Sequence, residues 1–331
     1  MTVGQILAAF RRCSALVVGD ICLDRWCTYD PATSEPSRET GIPRIGVVST
    51  EATPGAGGTV ANNLAALGIG RIAVLGAVGD DGFGYELKQA LQLRGISPDL
   101  LVTATGLPTF TYTKLLNAHT GEEDQRRVDF ISTRPLPAPI EAELIERLRT
   151  RAPEYDVILV SDQAETSLGG VITAQVRDVL ASLAGRYPEK VVWVDSRVRS
   201  HLFRGVILKP NEMEGAAACA AALGHTDYAA LRSHVGARSL FITQGSRGVI
   251  VVDDVGEQLV PAVAIERPVD ICGAGDSFSA AASVALAAGG SATAAARFGN
   301  LVASITIMKK GTGTASPQEV RDAARMAGWP S

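Results

Sequence analysis

Aromatic side chains make up only 5% of these 331 residues, and the basic residues are outnumbered, leaving a net charge of −4. A chain without a broad positive field is not built to hold nucleic acid or an anionic membrane surface. Long apolar runs are missing too. The longest candidate, residues 280–290, is Ala-rich and falls short of the roughly 18 residues that a membrane span needs. The opening, MTVGQILAAFRRCSALVV, has no basic region followed by a long apolar stretch and reads as a short amphipathic helix. Cysteine is sparse: Cys13, Cys22, Cys27, Cys219 and Cys272 are odd in number and show no C-x-x-C spacing. Reduced thiols in a cytoplasmic protein are the expectation. His119, His201, His225 and His234 are scattered without metal-ligand spacing. Neither G-x-x-x-x-G-K-[ST] nor G-x-S-x-G occurs, which excludes a P-loop and a nucleophile elbow. No repeat and no low-complexity linker divides the chain.

What is present is apolar material, 46% of the residues against 20% charged, enough for a sizeable core. Short apolar, β-branched runs at 16–18, 72–78, 157–160, 191–194, 206–208, 240–243 and 249–252 read as strands. Helical spacing fills the intervals at 60–67, 85–94, 140–151, 171–184 and 227–235, and 280–288, 292–308 and 317–326 follow. This alternation predicts an α/β fold with a mostly parallel sheet and helices on both faces, spanning 1–331 as one domain. Ligands of such sheets bind beyond the carboxyl ends of the strands. Residues 38–51 and 109–131 instead alternate polar and apolar, with His119-Thr-Gly-Glu122 as a turn. They predict a small antiparallel β lid inserted in the domain.

Three motifs carry chemistry. In Asp270-Ile-Cys-Gly-Ala-Gly-Asp276 a Gly-rich turn opens a helix, so free N–H groups at Gly273, Ala274 and Gly275 can cradle an anion while Asp276 takes a proton from a hydroxyl. A plain helix cap after flexible glycines is the alternative. Asn211 and Glu214 lie three apart after a strand and can order Mg²⁺ and its waters, or simply form a capping box; both can hold. Thr243-Gln-Gly245-Ser-Arg-Gly248 is either a loop or a shelf for a nucleotide. The stretch from Gly55 through Gly57, Gly58 and Asn63 contains G-x-G, but Val60 replaces the third glycine of a dinucleotide fingerprint. A close-approach surface for a small polar ligand fits better. Asp20 and Asp24 follow the first strand, where sheet ligands bind.

Together these pieces resemble the ribokinase-like, or PfkB-type, carbohydrate kinases over residues 17–320. The subgroup most similar is the D-glycero-D-manno-heptose 7-phosphate kinases, through Val18-Gly-Asp-Ile-Cys-Leu-Asp24-Arg25-Trp26, Thr113-Lys114-Leu115, Arg127-Val-Asp129-Phe130 and Lys310-Gly-Thr312. The resemblance implies a three-layer sandwich with a β lid, and ATP and Mg²⁺ as cofactors, with a monovalent cation such as K⁺ near Asp270. It implies Asp276 as general base and the amides of residues 273–275 as anion hole. Asn211 and Glu214 would order Mg²⁺ and phosphates, and Thr243, Gly245, Gly248 and Asn300 would line the ATP site. Asp24, Gly57, Gly58 and Asn63 would face the sugar, Lys114 and Arg127 would lie near the sugar or its phosphate, and Asp162 stands at a substrate position. A homodimer through the lid is implied as well.

The chain departs from the pattern at Thr59, where the family has a sugar-contacting Asn, and at Ile271. Asp162-Gln-Ala-Glu165-Thr replaces the heptose kinases' Asp-Tyr-x-Lys-Gly, exchanging a cation for an anion. Asp195-Ser-Arg-Val-Arg199 resembles the Asp-x-Asn-x-Arg of 2-keto-3-deoxysugar-acid kinases, with Arg197 in the Asn place. Another sugar or sugar acid is therefore the alternative acceptor. A non-catalytic sugar-binding relative and a nucleoside kinase are the remaining rivals; the latter has only Trp26, Tyr29 and Tyr112 for stacking.

Overall fold

The computed structural model describes residues 1–164 and 168–329. Its strands are β1 (Ser14–Gly19), β2 (Ile21–Tyr29), β3 (Val47–Ala56), β4 (Arg71–Leu75), β5 (Ala77–Gly79), β6 (Val102–Ala104) and β7 (Thr111–Asn117). They continue with β8 (Val128–Phe130), β9 (Val157–Asp162), β10 (Val191–Ser196), β11 (Ile207–Leu208), β12 (Leu240–Thr243), β13 (Val249–Asp253) and β14 (Gly256–Val260). Helices α1 (Val3–Phe10), α2 (Gly57–Ala66), α3 (Gly82–Gln92), α4 (Ala138–Arg151) and α5 (Ala174–Arg186) lie in the first part of the chain. The rest are α6 (Glu212–Leu223), α7 (Tyr228–Val235), α8 (Ala274–Ala287), α9 (Ala292–Thr306) and α10 (Pro317–Met326).

Eight strands form the central sheet in the order β14-β13-β12-β11-β10-β9-β1-β4. All pairings from β4 to β12 are parallel; β13 and β14 add two antiparallel strands at one edge. The pleat sends successive side chains to opposite faces. Val17, Val74, Leu159 and Trp193 therefore enter a core shared with α1, α2, α8, α9 and α10. Their neighbours Leu16, Ala73, Ile158 and Val192 enter a second core with α4, α5, α6 and α7. This double coverage explains why the strands read as continuous apolar runs. Each fully buried Leu or Val stabilises by about 1.5–3 kcal/mol relative to exposure.

The lid is a four-stranded sheet, β3-β2-β7-β8. The β2–β3 and β7–β8 pairings are antiparallel and the β2–β7 pairing is parallel. The expected turn closes through Asn117, which accepts the Gly121 N–H at its carbonyl and donates its own N–H to Glu122. Several boundaries differ from the sequence reading: the run at 72–78 divides into β4 and β5, which lie in different sheets, and the lid segment expected at 38–51 forms its strand at Val47–Ala56. Residues 21–29 form the lid's central strand although they mix charged and apolar residues, because β2 leaves the sheet core at Asp24 and becomes half-exposed. The helix expected from 171 begins at Ala174, since the N–H of Val171 is taken by the Asp20 carboxylate.

All five cysteines are free thiols. Among the described residues no helix is long and apolar enough to cross a membrane.

Candidate active site

Two helix N-termini open on one cavity without a side-chain cap. Helix α8 is entered through Gly273 at φ +77°, a left-handed conformation that glycine adopts at no steric cost. The turn before it is fixed by Asp270, whose carboxylate accepts the N–H of Cys272 (2.9 Å) and of Gly311 (3.0 Å). Helix α2 is entered through Ala56, the one non-glycine residue with positive φ among those described (50°). Holding alanine there costs on the order of 1–3 kcal/mol, a strain typical of sites that need one backbone geometry. The Gly57 N–H is taken by the Asp20 carbonyl (3.0 Å) and the Ala274 N–H, expected to be free, by the Ile271 carbonyl (3.3 Å), so the aligned peptide dipoles and the remaining amides make both ends attractive to negative charge.

The cavity between them, about 220 Å³, is walled by Asp24, Trp26, Ala56, Thr59, Tyr112, Lys114, Arg127, Gln163, Arg197, Cys272, Asp276 and Thr312. The lid contributes through register: β2–β7 pairing sets Asp24 beside Tyr112 and Trp26 beside Lys114, so alternate residues of both strands share one face. Lys114 lies 4.5 Å over the Trp26 ring, and the Arg127 guanidinium 4.6 Å over Tyr112. Arg25 also borders the cavity, but its guanidinium turns to Glu86 (2.9 Å) and the Phe83 ring. The segment after α9 closes the wall. Lys310 donates to the Gly121 carbonyl of the lid turn (3.4 Å), and a Cβ on Gly311 would lie 3.7 Å from Trp26.

Charge is concentrated around Asp276. Burial, then the nearby Asp195 carboxylate, push its carboxyl from the ordinary 3.8 up to about 7, with Lys209 and Arg197 opposing. A base poised there is well matched to proton transfer at neutral pH. Lys209, buried, pairs with Asp195 at 2.7 Å, and its ammonium would stand 3.2 Å from a Cβ placed on Gly275. A fixed cation thus supports the α8 turn from below. Burial also raises Asp24, to about 6.

Asn211 and Glu214 form the capping box in full: the Asn211 N–H donates to Glu214 Oε2 (2.7 Å) and the Glu214 N–H to Asn211 Oδ1 (2.9 Å). Glu214 Oε1 has no part in the box. Burial and Asp195 raise this carboxyl. Among the described residues no three His, Cys, Asp or Glu cluster to hold a metal directly. An all-oxygen donor set of this kind fits Mg²⁺ that is held mainly by phosphate and water. Thr243 lies beside Asn211 through a parallel bridge, and its N–H donates to the Pro210 carbonyl. Asn300 ties down the end of β14 by donating to the carbonyls of Val260 and Pro261, while Gly248 lies so near Val260 that a Cβ would strike its carbonyl. Gly245 opens the short turn between β12 and β13. These four residues therefore form one rim next to α6.

Other expected sugar contacts lie elsewhere. Asn63 is 0% exposed, one turn behind Thr59, and donates to the Thr59 carbonyl (3.0 Å). Gly57 and Gly58 are buried where a Cβ would meet Ile21 and Pro54, so they serve the close approach of α2 to β2 and β3. Asp162, 1% exposed, is withdrawn from the cavity: it accepts from Ser196 Oγ (2.6 Å) and from Arg199 in a two-point ion pair. Its carbonyl holds the Arg197 N–H (3.1 Å). Glu165, the expected charge exchange, lies outside the described residues. Asp270 gives one carboxylate oxygen to each of two backbone N–H groups. Sequence reasoning did not assign Lys209 and Asp195 to the site. A lysine closing an apolar strand immediately before Pro210-Asn211 was the available signal, since lysine is rarely buried unless paired.

Comparison with known proteins agrees with this fold. The family model for pfkB family carbohydrate kinases matches residues 16–319. Proteins named bifunctional protein HldE from Pelobacter propionicus and Trichlorobacter lovleyi are 30% and 33% identical, over 98% and 96% of this chain. The chain spans 66% and 64% of their lengths. Among solved structures, the ribokinase of Thermotoga maritima superposes with a TM-score of 0.71 at 20% identity, covering 95% of this chain and 99% of that one. An Arabidopsis thaliana ribokinase complexed with ribose and ATP gives 0.68 at 20% identity, covering 94% and 98%. With its α/β sheet, its lid and a family match over nearly the whole chain, this protein belongs to the pfkB family of carbohydrate kinases.

Proposed function

We propose that the protein transfers the γ-phosphoryl group of ATP to a hydroxyl of a sugar that already carries an anionic group, of the heptose 7-phosphate class. The observation that carries this reading is the cavity wall itself. Asp276 stands at the uncapped end of α8 while Lys114, Arg127 and Arg197 face the same space. Asp276 accepts the proton of the attacking hydroxyl, and the amides of Gly273 and Gly275 receive the oxygens of the migrating group. Mg²⁺, when bound with ATP near Glu214, supplies charge neutralisation of the phosphates. Asp24, across the cavity, accepts hydrogen bonds from sugar hydroxyls, and Lys114 and Arg127 pair with the acceptor's own phosphate.

The test is ADP release from Mg·ATP with D-glycero-D-manno-heptose 7-phosphate, ribose, fructose 6-phosphate and 2-keto-3-deoxygluconate. The heptose phosphate should exceed the neutral sugar by about 10²-fold in kcat/KM, since a desolvated charge pair discriminates at that scale. Faster turnover of ribose would overturn the reading. Arg197 in the place of an acid-recognising Asn favours one second reading, a keto-deoxy sugar acid, which the same panel scores. Ile42, Ile45, Val47 and Val48 are exposed on and beside the lid's edge strand β3, where a second copy can pair its own lid. Sedimentation at micromolar concentration should then show a dimer, and a monomer would refute this pairing.

A further inference from the structure

Arg197 and Asp276 line the same cavity wall. Two cations act strongly on Asp276, Lys209 and Arg197, against the carboxylates of Asp195 and Asp24. Lys209 is already neutralised by Asp195 in a 2.7 Å pair and is walled off beneath Gly275. Arg197 differs in that it reaches the cavity wall beside Asp276, and its field also lowers Glu214, on the metal and phosphate side. Arg197 thus lines the acceptor space at Asp276 and acts electrostatically on Glu214 as well.

Its placement is built. Arg197 follows β10 at the carboxyl edge of the sheet, and its N–H is held by the Asp162 carbonyl (3.1 Å). The residues on either side of it are anchored in turn. Ser196 Oγ donates to Asp162 and accepts the Arg199 N–H (3.0 Å), and the Arg199 guanidinium is locked on the Asp162 carboxylate. A buried knot of three side chains is an expensive way to shape a four-residue bend, unless the bend presents something that must be in one place.

Resting on the kinase reading above, we infer that Arg197 is a second catalytic cation of this site. Its guanidinium holds the phosphoryl group in transit from the acceptor side, while the α8 amides hold it from the donor side. The bond from the phosphorus to the ADP oxygen breaks as the bond to the sugar oxygen forms. The hydroxyl proton passes to Asp276, and Arg197 neither gains nor loses a proton. Planar, always charged and able to contact two oxygens at once, a guanidinium suits a group whose negative charge is spread over three oxygens.

The experiment measures two reactions of the full chain with Mg·ATP. One is ADP release with D-glycero-D-manno-heptose 7-phosphate, and the other is slow ADP release to water with no sugar present. Arg197→Ala should lower kcat in both by about 10³-fold or more, the lower end of the range for a transition-state arginine, with the ATP dissociation constant nearly unchanged. Arg197→Lys should recover only part of the loss, and guanidinium ion below denaturing concentration should restore part of the Arg197→Ala rate. A loss confined to KM for the sugar, a normal rate to water, or no rescue by guanidinium would overturn the inference. If the parent protein fails with the heptose phosphate, the acceptor reading falls alone, and Arg197 is still judged on transfer to water.

Discussion

Asp276→Asn is expected to lower kcat by about 10²–10⁴-fold while ATP still binds, the range over which a positioned base contributes. The amide matches the carboxylate in shape and leaves the α8 turn intact, so only the proton acceptor is removed. Near-normal turnover in this variant would end the mechanism. The parent should also show the base directly. Its carboxyl, raised to about 7, becomes ionised only as the pH climbs through neutrality, so kcat/KM should fall about tenfold per unit below that point.

Stability should move the other way. A carboxyl raised in the folded state contributes stability that is fully present below its ordinary pKa of 3.8 and is lost as the pH rises through about 7. Asparagine carries no such loss. The variant should melt above the parent at pH 8, and the two should converge near pH 4. An inactive variant with no gain at pH 8 would mean that Asp276 is not held under this electrostatic strain.

The second large effect is structural. Asp162→Ala should destabilise the fold by about 3–5 kcal/mol, because it strands the Arg199 guanidinium without its buried partner. The midpoint of urea unfolding reads this directly. The outcome separates two roles for Asp162: unchanged unfolding with a raised acceptor KM would restore it as a sugar contact, whereas lost stability identifies it as the anchor of the 196–199 bend.

That anchor shows where sequence reading stops. The strands at 16–18, 157–160 and 191–194 were legible because both faces are covered, which demands uninterrupted apolar residues. Helix α8 and its glycine turn were legible because few residue types can make such a turn. Asp162 and Arg199 lie 37 positions apart, and nothing local says that they meet. Asn63 and Gly57 read as ligand contacts because polar and small residues before a helix serve binding and close packing equally well; both are buried, and Gly57 packs closely on Ile21. Strand β2 was missed because its half-exposed middle alternates against the lid rather than against a core.

The placement of Gly311 beside Trp26 has a thermodynamic side. The same residue's N–H is held by Asp270, which also shapes the α8 turn. On the proposed reading, sugar bound against Trp26 and phosphate bound at the turn would press on one short segment from its two ends. Whatever free energy one ligand gains there from the presence of the other must be returned in equal measure. A substitution such as Gly311→Ala would then be felt as a change in cooperativity between the two substrates before it is felt in the affinity of either.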